Sequence, residues 1–214
     1  MKILSYNIRS WYRDLNPFSS RHWRKRAVSI RHLIEREAPD VLLLQEALWP
    51  MTRKCIPSGY VKATRGISHH IFIRKGIAEI ERTKWTFHTA QALLRFHDAH
   101  RAHFVCVHSH WKPSIQKRVF HRLCRLFFTK YVEIYPTYIG GDWNCTAEET
   151  RAAIAPPYYI ITPGCDTFQN WKTEKKAQLD YFAVAVPFGR AGLAYKCSFS
   201  DSDHLPVIYE TTNL

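Results

Sequence analysis

The chain has 214 residues, 46% of them hydrophobic, which excludes a disordered or collagen-like protein. Its 31 lysines and arginines outnumber 18 acids and give a formal net charge of +13. This excess favours a polyanionic partner, nucleic acid above all, while a basic surface that serves only solubility is the alternative.

The six cysteines show no C-x-x-C pair and no zinc spacing, so we expect reduced thiols and no structural zinc. No apolar run approaches membrane-spanning length, and the first residues lack the pattern of a signal peptide. We therefore expect a cytoplasmic protein, in the host cytoplasm if the source is a virus.

The first half of the chain opens with alternating apolar and polar residues, which predict a strand over Lys2–Ile8. Between Ser20 and Ala38, apolar residues recur at helical spacing among basic ones, and Pro39 ends the predicted helix. The apolar run Val41–Leu44 is typical of a buried central strand.

From about Ile71 onward the chain reads mainly as strands, with one helix over Ser114–Tyr131. The predicted strands are Ile71–Ile73, Ala78–Phe87, Gln91–Phe96, His103–His108, Thr137–Ile139, Tyr158–Ile161, Leu179–Val186, Leu193–Phe199 and Pro206–Glu210. This order predicts an α+β layered sandwich of two packed sheets with helices outside, in one domain over residues 1–214.

Polar side chains recur at the ends of these strands. They are Asn7, Glu46, His108, Asp142, Asn144, Asp180, Asp203 and His204. Each alone is compatible with a turn or a solvated strand end, and Gly141–Asn144 by itself is typical of a turn. If the strand ends meet at one rim, however, the rim holds carboxylates, amides and imidazoles in the rigid arrangement that metal-assisted chemistry needs.

Six segments, in order along the chain, resemble the motif set of the endonuclease/exonuclease/phosphatase superfamily, which includes pancreatic-type deoxyribonuclease and exonuclease III. They are Ser5–Arg9, Leu44–Glu46, Val107–Ser109, Gly141–Asn144, Leu179–Tyr181 and Ser202–Val207. The resemblance implies a four-layer α/β/β/α sandwich, with two mixed β-sheets flanked by helices. It also implies hydrolysis of phosphoester bonds with a divalent metal, usually Mg²⁺, with Mn²⁺ as a substitute.

The resemblance also implies roles for the metal ligands. Glu46 matches the principal metal-binding glutamate of the family. Asn7 would support the ion or its water shell, and Asp203 would join from the opposite side. Mg²⁺ typically takes only one or two protein carboxylates and keeps several waters, so this set is sufficient.

The catalytic roles follow in the same way. Asp142 would orient or deprotonate the attacking water, and the Asn144 amide would bond to a phosphate oxygen. His204 would donate to the scissile phosphate, and Asp180 would accept from its other ring nitrogen and fix its tautomer.

The histidine after the strand that ends near residue 108 has alternatives. His108 best matches the catalytic histidine of the family, but His110 would share its strand face if the strand continued. Relatives of the deoxyribonuclease type pair that histidine with a glutamate, whereas Gly66–Phe72 contains no acid. His69 or His70 is a further candidate to face the site, with a surface position as the alternative.

Basic residues near the motifs are candidates for binding nucleic acid: Arg9, Arg65, Arg74, Lys172, Lys175 and Lys176. Arg9 resembles the arginine that contacts backbone phosphate in deoxyribonuclease-like members. Trp111 and Trp171 are candidates for stacking on bases or sugars, although aromatic residues are more commonly buried.

The leading hypothesis is a monomeric, Mg²⁺-dependent DNA endonuclease or nickase of low sequence specificity, with DNA as partner and no membrane contact. An abasic-site or exonuclease III-type repair nuclease, an RNA-directed nuclease and a phosphatase of the same superfamily are the alternatives. An inactive DNA- or protein-binding module is the alternative from a different class.

Overall fold

The computed structural model describes residues 1–10, 23–112, 134–154, 157–170, 173–185, 192–198 and 201–211. The predicted helix over Ser114–Tyr131 lies outside the described residues. Among the described residues, no helix has the length and apolar character needed to cross a bilayer.

Three helices lie in the described segments: α1 (Trp23–Glu37), α2 (Trp49–Thr52) and α3 (Ala147–Ala153). The strands are β1 (Lys2–Asn7), β2 (Val41–Gln45), β3 (Tyr60–Lys62), β4 (His70–Arg74), β5 (Ala78–Trp85), β6 (Thr89–Phe96), β7 (Arg101–His108), β8 (Thr137–Asp142), β9 (Tyr159–Ile161), β10 (Phe168–Gln169), β11 (Lys176–Ala177), β12 (Asp180–Ala185), β13 (Leu193–Lys196) and β14 (Val207–Glu210).

The strands form two six-stranded sheets and a small hairpin. The first sheet has the order β13-β14-β1-β2-β4-β3, the second has the order β5-β6-β7-β8-β12-β9, and β10 pairs with β11. Each large sheet is mixed, because β1–β2 and β7–β8 are parallel pairs among antiparallel ones. The predicted α+β sandwich of two mixed sheets is confirmed.

The main core lies between the two sheets and contains Ile3, Leu43, Phe104 and Phe182, all fully buried. On the outer face of the first sheet, the next residue along β1, Leu4, packs in a second cluster with helix α1. A third cluster, around Trp143 and helix α3, covers the outer face of the second sheet. The alternation of Ile3 and Leu4 between two cores follows from the period of two in a strand.

Strand β8 is longer than predicted, because it continues through Gly140 and Gly141 to Asp142. A Cβ atom on Gly141 would lie 1.9 Å from the Val107 carbonyl oxygen, and one on Gly140 would overlap the Phe182 ring. Glycine therefore lets β8 pack closely against β7 and β12. The interpretation of Gly141–Asn144 as a turn alone is wrong, since its first two residues extend the strand.

The strand directions bring the polar ends together. Strands β1 and β2 end at one edge of the first sheet, and β7 and β8 end at the facing edge of the second. Strands β12 and β14 run antiparallel to these neighbours and begin at the same edge. We call this shared edge the rim.

Candidate functional site

The carboxylate of Asp142 lies at the centre of the rim and is 2% exposed. Its Oδ2 accepts a hydrogen bond from Asn7 Nδ2 at 3.0 Å and lies 3.6 Å from the Nε2 atoms of both His108 and His204. Its Oδ1 accepts from the Asn144 backbone N–H at 2.9 Å. One buried acid thus joins the ends of strands from both sheets.

His204 and Asp180 form a buried pair beside Asp142, with 2.8 Å between His204 Nδ1 and Asp180 Oδ2. The hydroxyl of Thr167 accepts the backbone N–H groups of Leu179 and Asp180 and so fixes the start of β12. Burial alone would lower the pKa of His204, but the carboxylates of Asp180 and Asp142 outweigh it and raise this pKa to about 10. The imidazole is therefore protonated at neutral pH.

Glu46 is the more exposed carboxylate of the group. Its Oε1 accepts from Asn7 Nδ2 at 3.1 Å and lies 3.6 Å from His108 Nε2. The amide nitrogen of Asn7 thus bridges Glu46 and Asp142, while its oxygen accepts the backbone N–H of Arg9 at 3.1 Å. In this orientation Asn7 positions the two carboxylates.

Of the candidate histidines, the structure brings His108 into the cluster. Strand β7 ends at His108, and His110 instead stacks its ring on Trp111 at 5.8 Å. His69 lies against the His108 ring, 5.4 Å between centroids, and burial lowers its pKa to about 3. His70 packs on Trp49 and Phe72 away from the carboxylates.

Three of the strand ends finish in left-handed backbone: Arg9 has φ 44°, Glu46 has φ 48° and Asn144 has φ 50°. Residues other than glycine pay about 1–3 kcal/mol for this conformation, so it persists where surrounding contacts enforce it. For Glu46 those contacts include its carbonyl oxygen, which accepts from both the backbone and the hydroxyl of Ser10.

Asp203 is placed with Arg9, and their side chains form an ion pair. Arg26 of α1 lies next to the backbone that carries this pair and is 2% exposed. Its guanidinium donates to the backbone carbonyls of Ile8, Arg9 and Asp201. A buried cation thus ties the segment after β1 to the loop before β14.

The predicted nucleic-acid-binding residues that the structure describes divide into two groups. Arg9, exposed Arg65 in the loop before β4, and exposed Lys175 and Lys176 of the β10–β11 hairpin lie on the rim side. Arg74 does not, because it ends β4 at the opposite edge and pairs with Asp40. Lys172 and Trp171 lie outside the described residues.

Within the described part of the chain, two groups of acidic and histidine side chains have ligand atoms within 4.8 Å of one another: Glu46, His108 and Asp142, and Asp142, Asp180 and His204. The second group does not suit a cation, because a protonated His204 offers no lone pair and its Nδ1 already pairs with Asp180 Oδ2. The first group suits a hard divalent cation, since its two carboxylates lie close together and one is partly exposed.

Sequence reasoning missed Arg26 and Thr167. The helical pattern placed Arg26 among basic residues surrounding the apolar face, with no sign that it would be buried. Thr167 lies ahead of a two-residue strand that was not predicted. The rim contacts of both residues join segments far apart in sequence, so local pattern carries no signal for them.

We expect the variant Arg26→Met to lower the free energy of unfolding by roughly 1–3 kcal/mol, because three backbone carbonyls lose a charged donor. Urea denaturation measures the change. Arg24→Met, at an exposed position of the same helix, is the matched control and should stay within about 0.5 kcal/mol of wild type. Equal effects of the two substitutions would contradict the role given to Arg26.

A further prediction concerns the charge of His204 in the metal-free protein. At about pH 8 its imidazole should be protonated in wild type and neutral in Asp180→Asn, as read from its ring ¹⁵N shifts by NMR. Because the folded pKa of His204 lies above the value of 6.5 for the unfolded chain, protonation of this imidazole contributes stability that is fully present below pH 6.5. That contribution is lost as the pH rises to about 10. A wild-type His204 that titrates near 6.5 would contradict the pairing.

Comparisons with known proteins find structures with a similar fold and a matching family. The fold is similar to that of a mannosyl-6-phosphatase from Bacteroides thetaiotaomicron VPI-5482, with a TM-score of 0.81 and 16% identity over 100% of both chains. It is also similar to humanized TDP2 of D. rerio, with a TM-score of 0.76 and 14% identity over 98% of this chain and 97% of that one. At such identities the likeness concerns the fold alone.

D. rerio TDP2 complexed with single strand DNA product gives a TM-score of 0.75 and 14% identity, over 98% of this chain and 97% of that one. No curated protein sequence matches the chain significantly. The profile of the Endonuclease/Exonuclease/phosphatase family, in contrast, matches residues 4–204, which contain every residue of the rim. The chain belongs to the endonuclease/exonuclease/phosphatase family.

Proposed function

We propose that this protein is a divalent-metal-dependent nuclease, most directly an endonuclease or nickase that hydrolyses DNA phosphodiester bonds with little sequence preference. The observation that carries the proposal is the position of Asp142, buried between Asn7, His108 and His204 and beside Glu46. The formal net charge of +13 supports a polyanionic substrate.

We assign Glu46 as the principal ligand of the divalent cation, because its carboxylate is more exposed than that of Asp142. Asn7 holds both carboxylates in place. When bound, Mg²⁺ supplies positive charge to the oxygens of the phosphoryl group. The role of Asp203 as a further ligand stays a prediction, since its carboxylate pairs with Arg9.

The proton-handling roles go to Asp142, His204 and His108. Asp142 orients the attacking water and accepts its proton, and protonated His204 donates through Nε2 to a phosphate oxygen while Nδ1 stays bonded to Asp180. His108 serves as general acid toward the leaving oxygen. The Asn144 amide, which also donates to the Ser109 carbonyl at 2.9 Å, binds a phosphate oxygen.

A groove of about 660 Å³ lies beside Ser202, Asp203 and Leu205, next to His204. We propose that it receives part of a phosphate-bearing substrate. The lining of the groove includes Lys176, Lys196, Phe168 and Asp203. The lining also includes a second acid, Asp166, whereas Arg9 compensates the charge of Asp203. In the proposed function these lysines bind the DNA backbone away from the scissile bond.

Hydrolysis of a small phosphomonoester is the second candidate. The groove has the volume of a small-molecule site, and the mannosyl-6-phosphatase shares the fold. The basic surface favours DNA, because a sugar phosphate does not require so many cations.

One assay compares the candidate substrates. Supercoiled plasmid, single-stranded DNA, abasic duplex, RNA and mannose 6-phosphate are each incubated with Mg²⁺ or with EDTA. We expect plasmid nicking that requires the metal and falls by at least about a hundredfold in Asp142→Ala and His204→Ala. Asp98→Ala, an exposed acid between β6 and β7, is the matched control and should cleave like wild type.

Three outcomes would contradict the proposal. They are cleavage of mannose 6-phosphate but of no nucleic acid, cleavage that continues in EDTA, and alanine variants as active as wild type. A protein that binds DNA but cleaves none of the substrates would be the inactive binding module instead.

A further inference from the structure

Aromatic side chains are exposed directly beside His108. Phe87 is 84% exposed in the turn between β5 and β6, and Trp111 is 69% exposed in the segment after β7. Together with His88 and His110 they form a continuous surface, which we call the aromatic strip: Phe87, His88, His110 and Trp111.

The rings of the aromatic strip contact one another in sequence. The centroids of Phe87 and His88 lie 5.1 Å apart, and those of His88 and His110 lie 6.3 Å apart. His110 and Trp111 stack at 5.8 Å with an interplanar angle of 17°. These distances are typical of aromatic pairs, so the rings support one another in place.

The aromatic strip is hydrogen-bonded to His108, which belongs to the cluster of Glu46, His108 and Asp142. The His108 backbone N–H donates to the His88 carbonyl at 3.0 Å, and His88 Nδ1 lies 3.3 Å from the His108 carbonyl oxygen. The imidazole of His108 in turn reaches Glu46 and Asp142. A nucleic-acid strand bound at His108 and extended toward the β5–β6 turn would therefore lie over the strip.

The chemistry of the aromatic strip favours unpaired bases. Neither Thr86–Thr89 nor His108–Lys112 contains an acid, and Lys112 Nζ lies 5.3 Å from the Trp111 ring. Flat exposed rings next to a cation match the two parts of a single strand, its base faces and its phosphates. In a duplex the base faces are already stacked on one another and unavailable to the rings.

We propose that the aromatic strip stacks on consecutive unpaired bases adjacent to the scissile phosphate, so that the preferred substrate has a single-stranded segment on that side. The proposal rests on DNA as the substrate of the proposed function. An anionic membrane surface also accepts exposed aromatic and basic side chains, but aromatic rings joined to His108 fit bases better.

Binding rather than cleavage tests this proposal. An Asp142→Asn background in Mg²⁺ prevents turnover, and fluorescence anisotropy follows a fluorescein-labelled oligothymidylate and an abasic oligomer of equal length and charge. We expect Phe87→Ala and Trp111→Ala each to weaken oligothymidylate binding about tenfold and binding of the abasic oligomer less than about twofold. Tyr159→Ala is the control, because this exposed tyrosine lies on β9, the edge strand of the second sheet on the side away from β5 and β6.

Affinities that are unchanged by both substitutions, or that fall equally for the two oligomers, would overturn the proposal. Sedimentation with phosphatidylserine vesicles provides the third arm, and strip-dependent vesicle binding without a preference for bases would also overturn it. Base-dependent binding by a protein that cleaves no DNA would instead refute the proposed function alone. Plasmid nicking without base-dependent binding would refute the strip alone.

Discussion

The rim depends on compensation of the buried carboxylate of Asp142. This acid is 2% exposed, and a second buried acid, Asp180, lies opposite it in the β8–β12 register. Two acids so placed are tolerated because Asn7 donates to Asp142 and His204 pairs with Asp180. His204, which compensates Asp180, is also the residue that we propose to donate to a phosphate oxygen, so folding and the proposed chemistry impose the same requirement on it.

A second layer of contacts fixes the rim from behind. Arg26 ties the segments that carry Arg9 and Asp201, Thr167 fixes the start of β12, and Ser10 holds the backbone of Glu46. Rigid support of this kind keeps the side chains of a site within the small tolerance that catalysis requires. Substrate contacts would then extend to both sides, through the Lys176 and Lys196 groove and through the aromatic strip.

Much of the rim was predictable because its residues follow strands that have clear patterns. Asp142, Asp180 and His204 lie in short motifs, and the parallel or antiparallel course of their strands brings them together. The positions of Arg26 and Arg74 were not predictable, since burial and sheet edge depend on tertiary packing. The start of α3 was predictable from the sequence but was not predicted. Thr146 and Glu149 form a capping box there, which is a local sequence signal for a helix start.

The central claim is that the carboxylate of Glu46, next to the more buried carboxylate of Asp142, binds a divalent cation at the rim. Titration of the protein with Mn²⁺, followed by electron paramagnetic resonance, measures this site without any substrate. We expect wild type and the exposed control Glu148→Gln to bind Mn²⁺ alike, and Glu46→Gln to bind it at least about tenfold more weakly. Equal affinity of wild type and Glu46→Gln would contradict the account.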